Sequence, residues 1–288
     1  MRLRREMIMN RLLIIDGSNL LFQMFFGMPA RIVNKQGKPI QGTLGFVGAL
    51  LKIIRKTEPA YVVAIFNGEH ENIRSALDAD YKANRVDYSA VPEEENPFSQ
   101  LPDVYEALNY LGIKHTETVT CEADDLIAGY ARTYEKETEI IISSFDSDFF
   151  QLITDNVSVL RYRGDKTVIC TPDYIEEEYG IFPSQYADFK SLTGDTADNI
   201  KGADRIGPKT AAYLLNEFGT LDNILANAEK IEKPFIKDSV IRNAERLKRN
   251  YRLIKLGSKA PLSFVLHELK YSYNGITTNE VLKEIKLR

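Results

Sequence analysis

Short runs of unbroken apolar residues alternate with segments of helical apolar spacing through the first two thirds of this chain. RLLIID (11–16), YVVAIF (61–66) and EIIISS (139–144) read as strands buried on both faces. GIKHTETV is strand-like, and VSVLRY and KTVIC flank Gly164-Asp165 as a hairpin would. QGTLGFVGALLKIIRK has helical spacing and a basic last turn, and LPDVYEALNYLG reads as a helix that stops at Gly112. EADDLIAGYARTYEK is amphipathic, with Leu126, Ile127, Tyr130 and Ala131 on its apolar side. Strands alternating with helices predict an α/β fold: a mostly parallel central sheet flanked by helices.

Two stretches break this alternation. Residues 70–100 are polar with few core positions, so an exposed excursion is expected there. From Pro183 onward only helical patterns follow: PSQYADFKSLTG, GPKTAAYLLNEFG, TLDNILANAEK and a long stretch near 238–256. A boundary near 180–186 is therefore expected, dividing the chain into an α/β core (1–184) and a helical subdomain (185–288). The last thirty residues carry no readable pattern.

Eight carboxylates sit at or just past the ends of apolar runs: Asp16, Glu122, Asp124, Asp125, Asp146, Asp148, Asp195 and Asp198. In an open α/β sheet the strand ends form the crevice where ligands bind. Acids gathered there repel one another unless a counter-charge intervenes, and hard divalent cations take oxygen ligands. Single clusters have ordinary readings. Acids in the first turn of a helix complement its dipole, and turns are rich in Asp. In CEADD, however, Glu122 and Asp125 are spaced to share a helix face. In FDSD, alternate residues of an extended segment would aim Asp146 and Asp148 at one point. In GDTADN, Asp195 and Asp198 repeat the three-residue spacing at a loop or helix start. Four such clusters on one chain point to a metal-dependent phosphoryl-transfer enzyme, with a nuclease as the leading reading.

Charge changes the picture less than it first suggests. The net charge is −4, which alone disfavours a nucleic-acid partner, but setting the eight acids aside leaves the remainder at +4. Hydrophobic content of 44% and charged content of 27% are ordinary for a soluble globular protein, and no apolar run is long enough to span a bilayer. Two distant cysteines, Cys121 and Cys170, argue against a disulfide framework or a zinc site and for a reducing, cytoplasmic setting. The opening MRLRREMIMN reads as a frayed basic extension, with Met9 a candidate start.

GADRIGPKTA carries a second chemistry. Gly202 and Gly207 allow a tight turn around Ile206 with exposed backbone N–H groups, and a helix begins at once. Such N–H groups make an anion site, to which Lys209 and Thr210 add a charge and a hydroxyl. The spacing is not that of a nucleotide-binding P-loop. In YKANR, Lys82 and Arg85 are candidates to clamp a phosphodiester, with Arg74 upstream of them. Tyr81 and Phe26 are candidates to stack on bases.

DGSNLLFQMFF, YKANR, CEADD, the Asp-x-Asp of FDSD, GDTADN and GADRIGPKTA occur in an order and spacing that resembles the bacterial and phage five-prime nucleases. These are the flap endonucleases and the five-prime exonuclease domain of DNA polymerase I. The resemblance covers about residues 11–255. It implies a PIN-like core, a helical arch at about 70–100 and a helix–turn–helix-type duplex-binding module at 185–220. It also implies two metal clusters, Asp16, Glu122, Asp124 and Asp125 in one and Asp146, Asp148, Asp195 and Asp198 in the other. These would hold two Mg2+ ions, with Mn2+ able to substitute. Lys82 and Arg85 would meet the scissile phosphate, and a K+ ion would sit at the Gly202–Gly207 loop.

One position departs from the family: Asn67 stands where an acid is expected. An amide oxygen can coordinate a hard cation without adding charge, so lower first-site affinity is expected, with Glu69 or Glu71 as candidates to compensate. The arch is also acidic: Asp78, Asp80, Asp87, Glu93, Glu94 and Glu95 outnumber Arg74, Lys82 and Arg85. Weakened single-strand threading is expected from this. The expected activity is hydrolysis of DNA phosphodiesters near junctions of duplex and five-prime single strand, by a monomer without a membrane partner. The rival readings are a junction-binding module that lost turnover through Asn67, and a phosphatase acting on small substrates.

Overall fold

The structure is a computed structural model and describes residues 10–68, 74, 77–257 and 260–288. Its centre is a six-stranded sheet built from β1 (Arg11–Asp16), β2 (Tyr61–Phe66), β3 (Lys114–Glu117), β4 (Glu139–Ser143), β5 (Val157–Arg161) and β6 (Val168–Cys170). The strand order is β3-β2-β1-β4-β5-β6, and every pairing is parallel except the β5–β6 hairpin. Strand order reverses between β1 and β4, so their carboxyl ends open the crevice that this topology leaves for a ligand.

The unbroken apolar runs are explained by layers on both faces. Leu13 and Ile15 of β1 face α1 (Gly17–Gly27), α2 (Gln41–Thr57) and α3 (Leu101–Tyr110). Leu12 and Ile14 face α4 (Ala123–Tyr134) and the helical part of the chain. Alternation by residue thus puts one β1 run into two cores. Gly17 lets α1 start against the sheet: a Cβ there would lie 2.4 Å from the Phe66 ring, which is fully buried.

Beyond β6 come α5 (Pro172–Tyr179), α6 (Tyr186–Thr193), α7 (Pro208–Phe218), α8 (Leu221–Ala226) and α9 (Pro234–Ile254). The all-helix expectation needs one correction. GDTADN is neither helix nor open loop but the turn of a small antiparallel ladder, β7 (Gly194–Asp195) with β8 (Ile200–Lys201). Its turn closes with Asn199 in the left-handed region at φ 58°. The core of this helical part is continuous with that of α4 and β4. The last twenty residues return to the sheet side. Tyr271 N–H donates to the Ala60 carbonyl at 2.9 Å, and α10 (Thr278–Glu284) buries Val281 and Leu282 against Val47 and Leu51 of α2.

Between β2 and α3, residues 79–85 form turns and 88–100 hold three short 3-10 segments instead of a long helix. The proposed compensating acids Glu69 and Glu71, and the basic extension up to Met9, lie outside the described residues.

Candidate metal centre and nucleic-acid interface

The carboxyl ends of β1, β2 and β4 and the start of α4 enclose a hollow of about 360 Å³. Asp16, Asn67, Glu122, Asp124, Asp146, Lys82 and Arg85 all line it. Asp16 ends β1 and caps α1, its Oδ1 accepting the Asn19 N–H at 3.1 Å. Ser144 donates to Asp16 Oδ2 at 2.7 Å, and its Oγ accepts the Asp146 N–H at 3.0 Å. One serine after β4 therefore fixes acids that are 130 positions apart. Asn19 adds a second tie, accepting the Phe145 N–H at 3.0 Å.

Burial drives the electrostatics. Desolvation raises the Asp16 carboxyl to about 6 even though Ser144 and Asn19 hydrogen-bond to it, and neighbouring Asp146 adds to the rise. Desolvation, then Asp146, pushes Asp124 well above the ordinary carboxylate range. Carboxyls held in this way are poorly compensated charges, the condition that a divalent cation relieves.

A second acidic group lies beside the first. One carboxylate oxygen each from Asp148, Asp195 and Asp198 lie within 4.8 Å of one another. The expectation of an extended FDSD is corrected here. Asp146 caps the 3-10 turn Ser147–Leu152 and accepts the Asp148 N–H at 2.8 Å, so Asp146 faces the hollow while Asp148 joins the trio. Between Asp148 and Asp195 sits the ammonium of Lys190, which pairs with both. Desolvation dominates at Asp148, raising it to about 7 against the pull of Lys190. At Asp195, burial is outweighed by Lys190 and its hydrogen bonds, and the carboxyl falls below its usual value. Lys190 thus marks a place where these oxygens accept a cation. An all-carboxylate donor set suits hard divalent ions.

Two basic residues of YKANR connect the two groups. Lys82 Nζ donates to Glu122 at 2.6 Å, and Arg85 donates to Asp198 at 2.8 Å. Three expected roles change. Arg74 is no open DNA contact: it is buried and paired with Glu122 and with both oxygens of Asp125. Asp125 is correspondingly turned to Arg74 and to the Gly257 N–H, away from the hollow. Tyr81 is buried among Ala187, Ile200 and Leu253 with its hydroxyl toward Glu122, so its ring is not available to a base. Phe26, by contrast, is exposed. The acidic residues of the excursion are partly balanced, Glu94 by Arg31 and Asp78 by Arg249.

Asn67 has a structural task in this fold. Its Oδ1 accepts the Ala123 N–H at 2.8 Å, capping the helix that carries Asp124. That oxygen is engaged by the backbone.

At the other end of the site, α7 starts from Gly207, with Arg205, Lys209 and Gly207 exposed and Thr210 half-buried. Ile206 is buried in the core and offers no side chain to a duplex. Gly202 is required for close approach: a Cβ would come within 2.3 Å of the Thr193 backbone. Its carbonyl accepts from Arg246 at 3.1 Å.

The family model described as "5'-3' exonuclease, N-terminal resolvase-like domain" matches residues 11–180, and "5'-3' exonuclease, C-terminal SAM fold" matches 181–275. The chain belongs to the 5'-3' exonuclease family. The 5'-3' exonuclease of Aquifex aeolicus is 33% identical over 264 residues, 91% of this chain and 87% of that protein. The thermostable DNA polymerase I of Thermus aquaticus is 34% identical over 253 residues, 88% of this chain. The chain spans only 29% of that polymerase. A T5 5'-exonuclease structure with bound zinc ions superimposes with a TM-score of 0.73 at 22% identity, covering 96% of this chain and 100% of that one. The catalytic core of Rad2 with its DNA substrate matches at 0.58 and 16% identity, covering 96% and 93%. The mostly parallel sheet with a helical C-terminal part is thus the fold of this exonuclease family.

Lys190, Ser144 and Asn19 escaped the sequence reading of this 5'-3' exonuclease family member. Lys190 had a signal: a lone lysine on the apolar face of YADFKSLTG, five residues before Asp195. Ser144 and Asn19 had none, because their value lies in partners more than 120 positions away.

Proposed function

We propose that this chain is a structure-specific five-prime nuclease that hydrolyses DNA phosphodiesters where duplex meets five-prime single strand. The observation that carries the reading is the convergence of Asp16, Glu122, Asp124 and Asp146 on one hollow with Lys82 and Arg85, beside the Asp148–Asp195–Asp198 trio. Two divalent ions, magnesium with manganese as substitute, are assigned to these acids. Bound there, they supply Lewis-acid activation of water and stabilisation of the leaving oxygen. Asp16, Glu122, Asp124 and Asp146 hold the first; Asp148, Asp195 and Asp198 hold the second, with Asp146 between them.

The chain's own groups supply the rest. Lys82 and Arg85, which balance Glu122 and Asp198, carry the positive charge that a phosphodiester in the hollow needs. Gly202, Gly207, Lys209 and Thr210 at the start of α7 hold duplex phosphates without reading sequence. A potassium ion at that loop is part of the proposal, using carbonyls other than that of Gly202, which Arg246 occupies. The protein is proposed to act as a monomer in the cytoplasm. Among the described residues, no helix is long and apolar enough to cross a membrane. The binding-module alternative rested on Asn67 as a lost ligand. Asn67 caps α4 here, and Asp16, Glu122, Asp124 and Asp146 line the hollow, which favours turnover.

A flapped duplex with magnesium tests this. Cleavage that is abolished by Asp146→Asn is expected. Tight, salt-sensitive binding without cleavage would return the binding module, and turnover of small phosphate esters but not DNA would return the phosphatase.

A further inference from the structure

Among the residues that line the hollow, Asn67 and Ser18 sit side by side. The Asn67 backbone N–H donates to Ser18 Oγ at 3.0 Å. The Asn67 side-chain oxygen accepts the Ala123 N–H. Each of these two oxygens therefore already accepts one hydrogen bond from the protein's own backbone. The contact with Ala123 also decides the orientation of the amide, because reversing it would set an NH2 group against an N–H. Donor capacity is wholly unspent: two hydrogens on Asn67 Nδ2 and one on the Ser18 hydroxyl. No acceptor among the described residues takes any of them. The charged donors of the same hollow, Lys82 and Arg85, each already hold an acid.

An amide NH2 cannot ligate a hard cation, but it suits an anionic oxygen. We propose that Asn67 and Ser18 form a specificity edge that holds a non-bridging phosphate oxygen of the substrate, and that Asn67 is not a metal ligand. This rests on the nuclease reading above. An acid at position 67 could cap Ala123 with one oxygen, but its other oxygen would present negative charge where Asn67 presents donors. The amide thus gives up cation affinity and gains hold on the phosphate. The phosphate is either a five-prime terminal monoester or an internal diester, and both offer the same oxygen chemistry.

Asn67→Asp and Asn67→Ala separate the roles, the first keeping the cap on Ala123. Manganese binding to the DNA-free protein is titrated by calorimetry, and KM is measured at saturating metal on 5'-phosphorylated and 5'-hydroxyl flapped duplexes. Asn67→Asp is expected to bind manganese more tightly yet raise KM about tenfold, the loss of a hydrogen bond to a charged group. Asn67→Ala is expected to raise KM similarly with manganese affinity unchanged. A rise confined to 5'-phosphorylated DNA assigns the terminal phosphate, and an equal rise on both assigns an internal one. Weaker manganese binding by Asn67→Ala, or an unchanged KM in Asn67→Asp, overturns the inference. If the unmodified protein cuts neither duplex, the nuclease reading itself has failed.

Discussion

The backbone N–H of Lys82 donates to the carbonyl oxygen of Asp198 at 3.0 Å, with Lys82 in the left-handed region at φ 57°. Asn84 donates to Thr196 O at 3.2 Å and Asn199 to Asp80 O at 2.8 Å, so these three hydrogen bonds fasten residues 80–84 to the turn between β7 and β8. The excursion expected to be an exposed loop is anchored at this point to the second acidic group. Whatever moves one moves the other.

Asn199→Ala should loosen that fastening. It removes the bond to Asp80 and puts alanine at a left-handed φ, for a cost of about 1–3 kcal/mol. Hydrogen exchange should quicken in residues 79–86 and 194–201 while β1 and β4 keep their protection. Unchanged exchange in 79–86 would mean that Arg85–Asp198 and the Tyr81 packing suffice alone.

Lys190→Met leaves Asp148 and Asp195 buried without their cation. Breaking a buried pair by removing one partner costs about 3–5 kcal/mol. The metal-free protein should therefore melt well below the unmodified one. Added manganese should recover more stability in the variant than in the parent, since a divalent ion answers the same charges. Equal gains in both would separate Lys190 from the cation seat.

Asp16 lies at about 6 and Asp148 at about 7, both raised first by desolvation from an ordinary 3.8. The folded, metal-free protein therefore binds more protons than the unfolded chain between roughly pH 4 and pH 7. The contribution of these two groups to stability is greatest below about pH 4 and is lost as pH rises through 6 to 7. Metal binding must displace the same protons. Calorimetry in buffers of different ionisation enthalpy should show manganese binding releasing protons at pH 6, less release at pH 8, and affinity rising between them. A pH-independent affinity would contradict this.

Lys209→Ala removes one exposed charge at the start of α7. It should weaken duplex binding alike across sequences and shrink the slope of log K against log salt by about 1. Fluorescence anisotropy from 50 to 200 mM salt measures this, and an unchanged slope would take Lys209 off the DNA backbone.

Local pattern was enough to determine the strands of the main sheet, the longer helices and the acids beside them, because apolar periodicity reports burial over a few neighbouring residues. RLLIID, EIIISS and CEADD are where that reading placed them. The turns and 3-10 segments of residues 79–100 and the 3-10 turn after Asp146 were not legible, since caps and tertiary ties set the local backbone there. Only the tertiary structure decided partners. Arg74 meets Asp125 across 51 positions, Lys190 meets Asp148 across 42, and Asn67 gives its oxygen to Ala123 across 56. A side chain's identity says what it can donate or accept. Packing of distant elements alone says whether a helix end, a buried carboxylate or a substrate receives it.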